Sequence, residues 1–225
     1  THFTGDDAIA DYTENFRTGT NTLRSTSVNF YEHQNELPDQ DLDNDGVKGE
    51  QGMFLVRAKD ADPDDRLAQS VSFRADQATG ALMTPAELAA INTPDAVLTR
   101  RMSKTFFAGE DSIADYTVNY RKDGQQIRSF SVNFYGTGNW RATDQANVTS
   151  ETPLSISMSF RRFNASTEQQ ITDNIASLGS AAVDLKMPDP SSTKTPKDET
   201  IIGKRTSITH FTGDDAIADY TENFR

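Results

Sequence analysis

The sequence predicts a β-rich α+β chain of two tandem homologous modules, each a mostly antiparallel sheet or sandwich with one helix, followed by the start of a third copy. Three observations carry this. The string THFTGDDAIADYTENFR stands at residues 1–17 and again at 209–225. A related block beginning at Thr105, TFFAGEDSIADYTVNYRKDGQQIRSFSVNFY, matches the first 31 residues at 18 positions. Gly5, Gly109 and Gly213 hold one place in the motif and stand 104 residues apart each time. A constant period marks a repeat architecture. It places module A at 1–104, module B at 105–208 and the first strand segment of a further module A at 209–225. The letter-identical first and third copies imply two alternating kinds of module. The closing stretch is then expected to complete the second module's sheet with a strand supplied by the next unit.

Each element follows from hydrophobic periodicity. DYTVNYRKDGQQIRSFSVNFYG alternates, with Tyr116, Val118 and Tyr120 on one face and Lys122-Asp123-Gly124 as the turn of a hairpin. LSISMSFRRF sets Leu154, Ile156, Met158 and Phe160 on one side of a half-buried strand, with GMFLVRA as its counterpart. At a constant, ungapped spacing, Phe54, Val56 and Arg57 fall opposite Met158, Phe160 and Arg161, and Leu67 and Val71 opposite Ile171 and Ile175. DADPDDRLAQSVSFRAD reads as a helix start, with Asp62 as N-cap, Pro63 at the first position and Leu67 and Val71 at helical spacing. The second module offers Ser166 as cap, then Ile171, Ile175 and Leu178, closed by Gly179. ALM and VDLKM read as a further strand. AVLTRRMSKTFF and TIIGKRTSITHF read as extended chain running from one unit into the next without a Gly/Ser linker.

Composition narrows the function. The 225 residues are 35% hydrophobic and 9% aromatic, enough for globular cores, with a net charge of -12. That charge repels phosphate backbones and anionic lipid, so nucleic acid and membrane surfaces are poor partners and metal cations better ones. The absence of cysteine removes disulfides, thiolate metal sites and cysteine nucleophiles. No apolar run reaches the length of a membrane span. Any export signal is expected to lie outside these residues.

The sharpest local motif is DQDLDNDGVKGEQG. Asp41, Asp43, Asp45 and Gly46 follow the D-x-D-x-D-G order of an EF-hand-type calcium loop, in which alternate carboxylates surround a tight glycine turn. The later half departs from the pattern: Gly52 stands where the bidentate glutamate belongs, which leaves Glu50 as the substitute ligand. A solvated acidic loop is the competing reading, and the other module lacks these carboxylates. The run Asp60, Asp62, Asp64 and Asp65 reads as helix capping. The GDD and GED elements (Asp6, Asp7 and Asp11; Glu110, Asp111 and Asp115) read as turns preceding strands. Arg17, Arg24, Arg121 and Arg128 read as surface partners for carboxylates. Trp140, the only tryptophan, is either a sugar-stacking residue or, more in keeping with its kind, an anchor for its loop. The three histidines stand in no triad spacing, and there is no Walker loop or dinucleotide turn, so no enzyme activity is expected.

The first functional expectation is therefore a structural segment of an extracellular fibre, surface or adhesin-type protein, stiffened by calcium and partnered by neighbouring copies of the same repeat. The acidic, cysteine-poor repeats of about this size are similar in outline to the extender regions of giant bacterial adhesins. That likeness covers no diagnostic motif, and a helix in each module departs from the Ig-like sandwich it implies. The alternatives are a self-assembling filament, surface-layer, tail-tube or capsid subunit that exchanges terminal strands, and a carbohydrate-binding module that uses Trp140 on a glycan.

Overall fold

The computed structural model describes residues 1–5, 8–34, 53–75, 85–96, 100–161, 175 and 204–224. These residues form eleven strands, and their strand pairs are antiparallel. The chain divides into unit 1, Thr1–Phe106 with Lys122–Gln125, and unit 2, Phe107–Arg121 with Gln126–Arg225.

Unit 1 opens with β1 (His2–Thr4) and β2 (Ile9–Phe16), joined through a turn in which Gly5 sits at φ 72°. Gly109 and Gly213 repeat that left-handed conformation at φ 75°, which explains why each copy of the motif keeps glycine there. Next come β3 (Leu23–Gln34), β4 (Met53–Arg57), a 3₁₀ turn at Ala58–Asp60, β5 (Arg66–Arg74), the short helix α1 (Pro85–Ala89) and β6 (Arg101–Ala108). The strand order is β1-β2-β3-β5-β6, with β4 paired to the far end of β3. β3 is central because its residues alternate Val28 and Phe30 inward with small polar residues between, a pattern suited to a half-buried strand. One core joins Val28, Phe30, Val71 and Phe73 to Leu88 and Ile91, while Tyr31, Val56 and Ala58 form a second cluster with Ile9, Phe54 and Leu67.

Unit 2 contains β7 (Ile113–Tyr120), β8 (Ile127–Tyr135), β9 (Leu154–Arg161), β10 (Lys204–Thr212) and β11 (Ile217–Asn223), paired in that order. The expected hairpin is present, with Tyr116, Val118 and Tyr120 buried. Phe130 and Phe160 stack at 5.1 Å across β8 and β9. Of the extended stretches expected at AVLTRRMSKTFF and TIIGKRTSITHF, residues 101–107 lie in β6 and 204–211 in β10, while 97–99 and 200–203 lie outside the described residues. The closing residues are paired, because β11 lies against β10 from Ser207↔Asn223 to Thr212↔Ile217.

Two expectations are corrected. The residues read as a helix from Asp62 are a tight turn followed by β5. The Asp65 amide donates to the Asp62 carbonyl at 3.0 Å, and Arg66–Arg74 then pairs with β3. Val71 and Phe73 flanked by Ser70 and Ser72 form a period-2 strand, and a waiting partner strand outweighs the capping signal. Among the described residues the fold is thus β-rich with very little helix. The helix expected from Ser166 and the strands expected at ALM and VDLKM lie outside the described residues, apart from Ile175, which is helical and buried.

The second correction concerns register. Val132 and Phe130 pair with Met158 and Phe160, as Val28 and Thr26 pair with Val71 and Phe73. Met158 and Phe160 therefore take the places of Val71 and Phe73, not those of Phe54 and Val56. The 104-residue spacing holds from β2 to β7 and from β6 to β10, where Ser72↔Ser103 matches Ser159↔Ser207. Between those ends the spacing shortens.

Candidate functional site

The motif aspartates lead to buried side chains that sequence reading passed over. In unit 1, Asp11 on β2 faces Arg57 at the end of β4. Arg57 donates from Nε to Asp11 Oδ1 and from Nη2 to Asp11 Oδ2, both at 2.7 Å. Its Nη1 donates to the carbonyls of Leu88 and Ile91, each at 2.9 Å. One planar guanidinium thus holds a strand and the carbonyls at the end of α1 together, a task suited to its fixed fork of donors. Leu88 lies in the last turn of α1, where its carbonyl also accepts the Ile91 amide at 3.2 Å, and Ile91 lies two residues past the helix; a cation at such a C-terminal end is favourable.

Unit 2 contains the same arrangement. Arg141 donates from Nε to Asp115 Oδ1 at 2.7 Å, its Nη2 meets Asp115 Oδ2, and its Nη1 donates to the carbonyl of Ile175 at 2.9 Å. Arg141 and Asp115 are 3% and 4% exposed, against 6% and 17% for Arg57 and Asp11. Arg141 stands 84 residues after Arg57, as Ile175 does after Ile91, so the first unit carries 20 more residues between its motif and its arginine. The acidic loop belongs to that extra stretch. The expected calcium ligands Asp41, Asp43, Asp45 and Glu50 lie outside the described residues.

A second cluster lies at the far end of β3. His33 Nδ1 is 2.7 Å from Asp65 Oδ2 and 3.7 Å from Asp62 Oδ2, and the three potential ligand atoms lie within 4.8 Å of one another. Asp65 Oδ2 also accepts the Asp62 amide at 2.7 Å, so local hydrogen bonds already account for this geometry. Two carboxylates and an imidazole fall short of the six to eight oxygens that calcium gathers. Asp60 pairs with Lys59 and is not part of the cluster. In the GED element, Asp111 accepts the Ser150 amide at 2.8 Å while Asp115 holds Arg141. Among the described residues, the arginine ion pairs engage Arg57, Arg66, Arg100, Arg101 and Arg141, and none engages Arg17, Arg24 or Arg128.

Trp140 bridges to Tyr135 and packs beside Ala142, Val148 and Leu154. Gly138 lies on the indole: a β-carbon there would come within 2.2 Å of Cζ2. The half-buried ring anchors its loop against Gly138 and the cluster of Ala142, Val148 and Leu154.

The third feature is the hairpin β10–β11, which reproduces β1–β2. His2 stacks on Tyr12 at 4.1 Å and reaches Glu14 at 3.0 Å; His210 stacks on Tyr220 at 4.3 Å and reaches Glu222 at 3.0 Å. Thr1 and Thr13 hydroxyls meet at 3.0 Å, as do those of Thr209 and Thr221. Both hairpins are bulged at the same place, His2/Phe3 and His210/Phe211. They differ on the other edge, where β2 pairs with β3 and β11 pairs with nothing among the described residues. Every residue of β11 is exposed, Ile217 at 65% and Tyr220 at 52%.

Comparison with known proteins finds no matching family model, no matching curated protein and no matching solved structure. Among the described residues, no helix is long and apolar enough to cross a membrane.

Proposed function

We propose that the chain is a structural segment of an extracellular tandem-repeat fibre, surface or adhesin-type protein. The observation that supports this reading most is β10. This strand pairs with β9 inside unit 2 and at the same time forms the first strand of a third copy of the motif, hydrogen-bonded to β11. A junction that is itself a sheet strand resists bending and stretching, which suits a spacer, because a series of backbone hydrogen bonds must break before the units part. The buried clamps support the same reading. Each ties a motif strand to a distant segment, 46 residues on in unit 1 and 26 in unit 2, so each unit closes on itself before its neighbour is reached.

Antibody raised against the chain tests this on the organism that carries the gene. Labelling of extended surface material on intact cells is the expected result; labelling that requires permeabilised cells would overturn the reading. Calcium enters as a stiffener of the acidic loop through Asp41, Asp43, Asp45 and Glu50. Thermal melts with calcium and with chelator check this part. The midpoint is expected to fall on chelation, because an ion bound to the folded state alone stabilises it by mass action. An unchanged midpoint removes the metal.

A second reading, a subunit that polymerises by exchanging terminal strands, is favoured by the exposed outer edge of β11, which pairs with no strand among the described residues.

A further inference from the structure

We infer that the outer edge of β11 is a docking site for strand β3 of a second copy of this chain, with Asp219 receiving the second copy's Arg57. The inference deepens the second reading, polymerisation by exchange of terminal strands, and rests on it. It follows from an identity within the chain. β11 reads IADYTEN, as does β2 from Ile9 to Asn15, and the strand that β2 pairs with is β3. The register is therefore fixed: Tyr12↔Val28, Thr13↔Ser27 and Glu14↔Thr26 predict Tyr220, Thr221 and Glu222 against Val28, Ser27 and Thr26 of the second copy.

Side-chain chemistry selects the same partner. In unit 1, Tyr12 packs on the core made by Val28, Phe30, Val71 and Phe73, Ile9 packs on Tyr31, Val56 and Ala58, and Asp11 takes two hydrogen bonds from Arg57. The corresponding Tyr220, Ile217 and Asp219 are all exposed. A strand edge with an unpaired hydrogen-bonding row and apolar side chains beside it is a template for another chain, and strand addition is the usual way such an edge is used. No contact of new chemistry is needed, since β11 enters the place that β2 leaves. Because the β11 edge and the β3 edge are different surfaces, the contact is heterologous. The resident β2 holds an advantage, as a tethered segment competes at an effective concentration of about millimolar. Exchange is therefore a minor, trappable state of the full chain, raised by anything that loosens β2.

The sequence has no cysteine, so one introduced thiol per chain reports without background. Full chains carrying Thr221→Cys and Ser27→Cys are mixed and oxidised gently; directly opposed antiparallel residues fall within the Cα separation a disulfide accepts. The mixed dimer should exceed either homodimer by about tenfold. Asp11→Asn in the Ser27→Cys chain should raise trapping by about another tenfold or more, because the resident strand loses its charged partner while the incoming Asp219 keeps its own. Asp219→Asn in the Thr221→Cys chain should reverse that gain. The free peptide THFTGDDAIADYTENFR, equal to either end, should suppress trapping in every mixture, and this readout stays valid should Asp11→Asn disturb folding. A mixed dimer at the statistical level, or one indifferent to the peptide, overturns the inference. Oligomers seen by light scattering without preferential 221–27 trapping also overturn it, and leave the fibre reading standing.

Discussion

Strands β2 and β11 share all seven residues from isoleucine to asparagine and differ in what lies along one edge. With β3 beside it, Tyr12 and Ile9 are half-buried and Asp11 holds a guanidinium; without such a neighbour, Tyr220, Ile217 and Asp219 face solvent. β7 is the third instance, with Tyr116 and Asp115 both buried. One motif thus passes through three depths of burial. The hairpin turn, the bulge and the His–Tyr stack persist between the first and last copies, so they are local properties of the sequence. Burial comes from the neighbouring strand, and the ion pair from the segment that follows it, the end of β4 in unit 1 and the stretch between β8 and β9 in unit 2.

The sharpest way to break that comparison is to remove the motif aspartate from each copy in turn and follow urea unfolding. Asp115→Ala should be worst, at about 3–5 kcal/mol, because it strands Arg141 as an unpaired charge with almost no access to water. Asp11→Ala should cost about 1–3 kcal/mol, since Asp11 is the more exposed carboxylate and Arg57 keeps the carbonyls of Leu88 and Ile91. Asp219→Ala should leave the unfolding midpoint of dilute protein unchanged. Equal losses at all three positions would mean that the aspartate acts through its own turn and not through the arginine.

A middling effect is expected where the two units differ in how they return to the arginine. Unit 2 turns from Tyr135 to Arg141 by folding Gly136 and Gly138 against Trp140. Gly138→Ala forces a β-carbon into the indole and should cost about 1–3 kcal/mol, with a shift in the fluorescence of the single tryptophan. Gly5→Ala has open space around the new carbon and only its φ of 72° against it, so it should cost about 1 kcal/mol and leave the tryptophan signal alone.

These contrasts also explain what could be read in the sequence. The hairpins were legible because alternation in DYTVNY and RSFSVNFY is local and survives in either unit. The stretch from Asp62 was misread for a physical reason: Asp-Pro-Asp-Asp closes a tight turn as readily as it caps a helix. A bulge opposite Phe30/Tyr31, where Gln69 and Leu67 pair but Ala68 does not, also breaks the period-2 pattern of β5. The clamps were illegible because Asp11 and Arg57 lie 46 residues apart, and an ungapped spacing set Arg57 against Arg161 instead of Arg141. A signal was present, since Arg57-Ala-Lys-Asp60 and Arg141-Ala-Thr-Asp144 share their first, second and fourth letters. The His33 cluster had no local signal, because it depends on the turn at Asp62–Asp65 meeting the end of β3.

The smallest expected effect separates Tyr31 from Tyr135, which occupy one motif position and donate to the carbonyls of Ala10 and Ala114. Burial raises both phenols above the ordinary value, and Asp11 or Asp115 adds to the rise, against hydrogen bonds from Asn29 or Asn133; Tyr135 is pushed up to about 12. A phenol whose folded value lies above its unfolded value of 10.0 contributes stability that is complete below that pH and is lost as pH climbs through about 12. Tyr135→Phe should cost about 1 kcal/mol at neutral pH, the worth of one hydrogen bond. It should also flatten the alkaline decline in the urea midpoint between pH 10.0 and about 12. Tyr31→Phe should cost about the same 1 kcal/mol at neutral pH. It should change the alkaline limb less, because burial raises Tyr31 without carrying it as far. If instead Tyr31→Phe flattened that limb as much as Tyr135→Phe, the two phenols, each 7% exposed, would hold their protons alike.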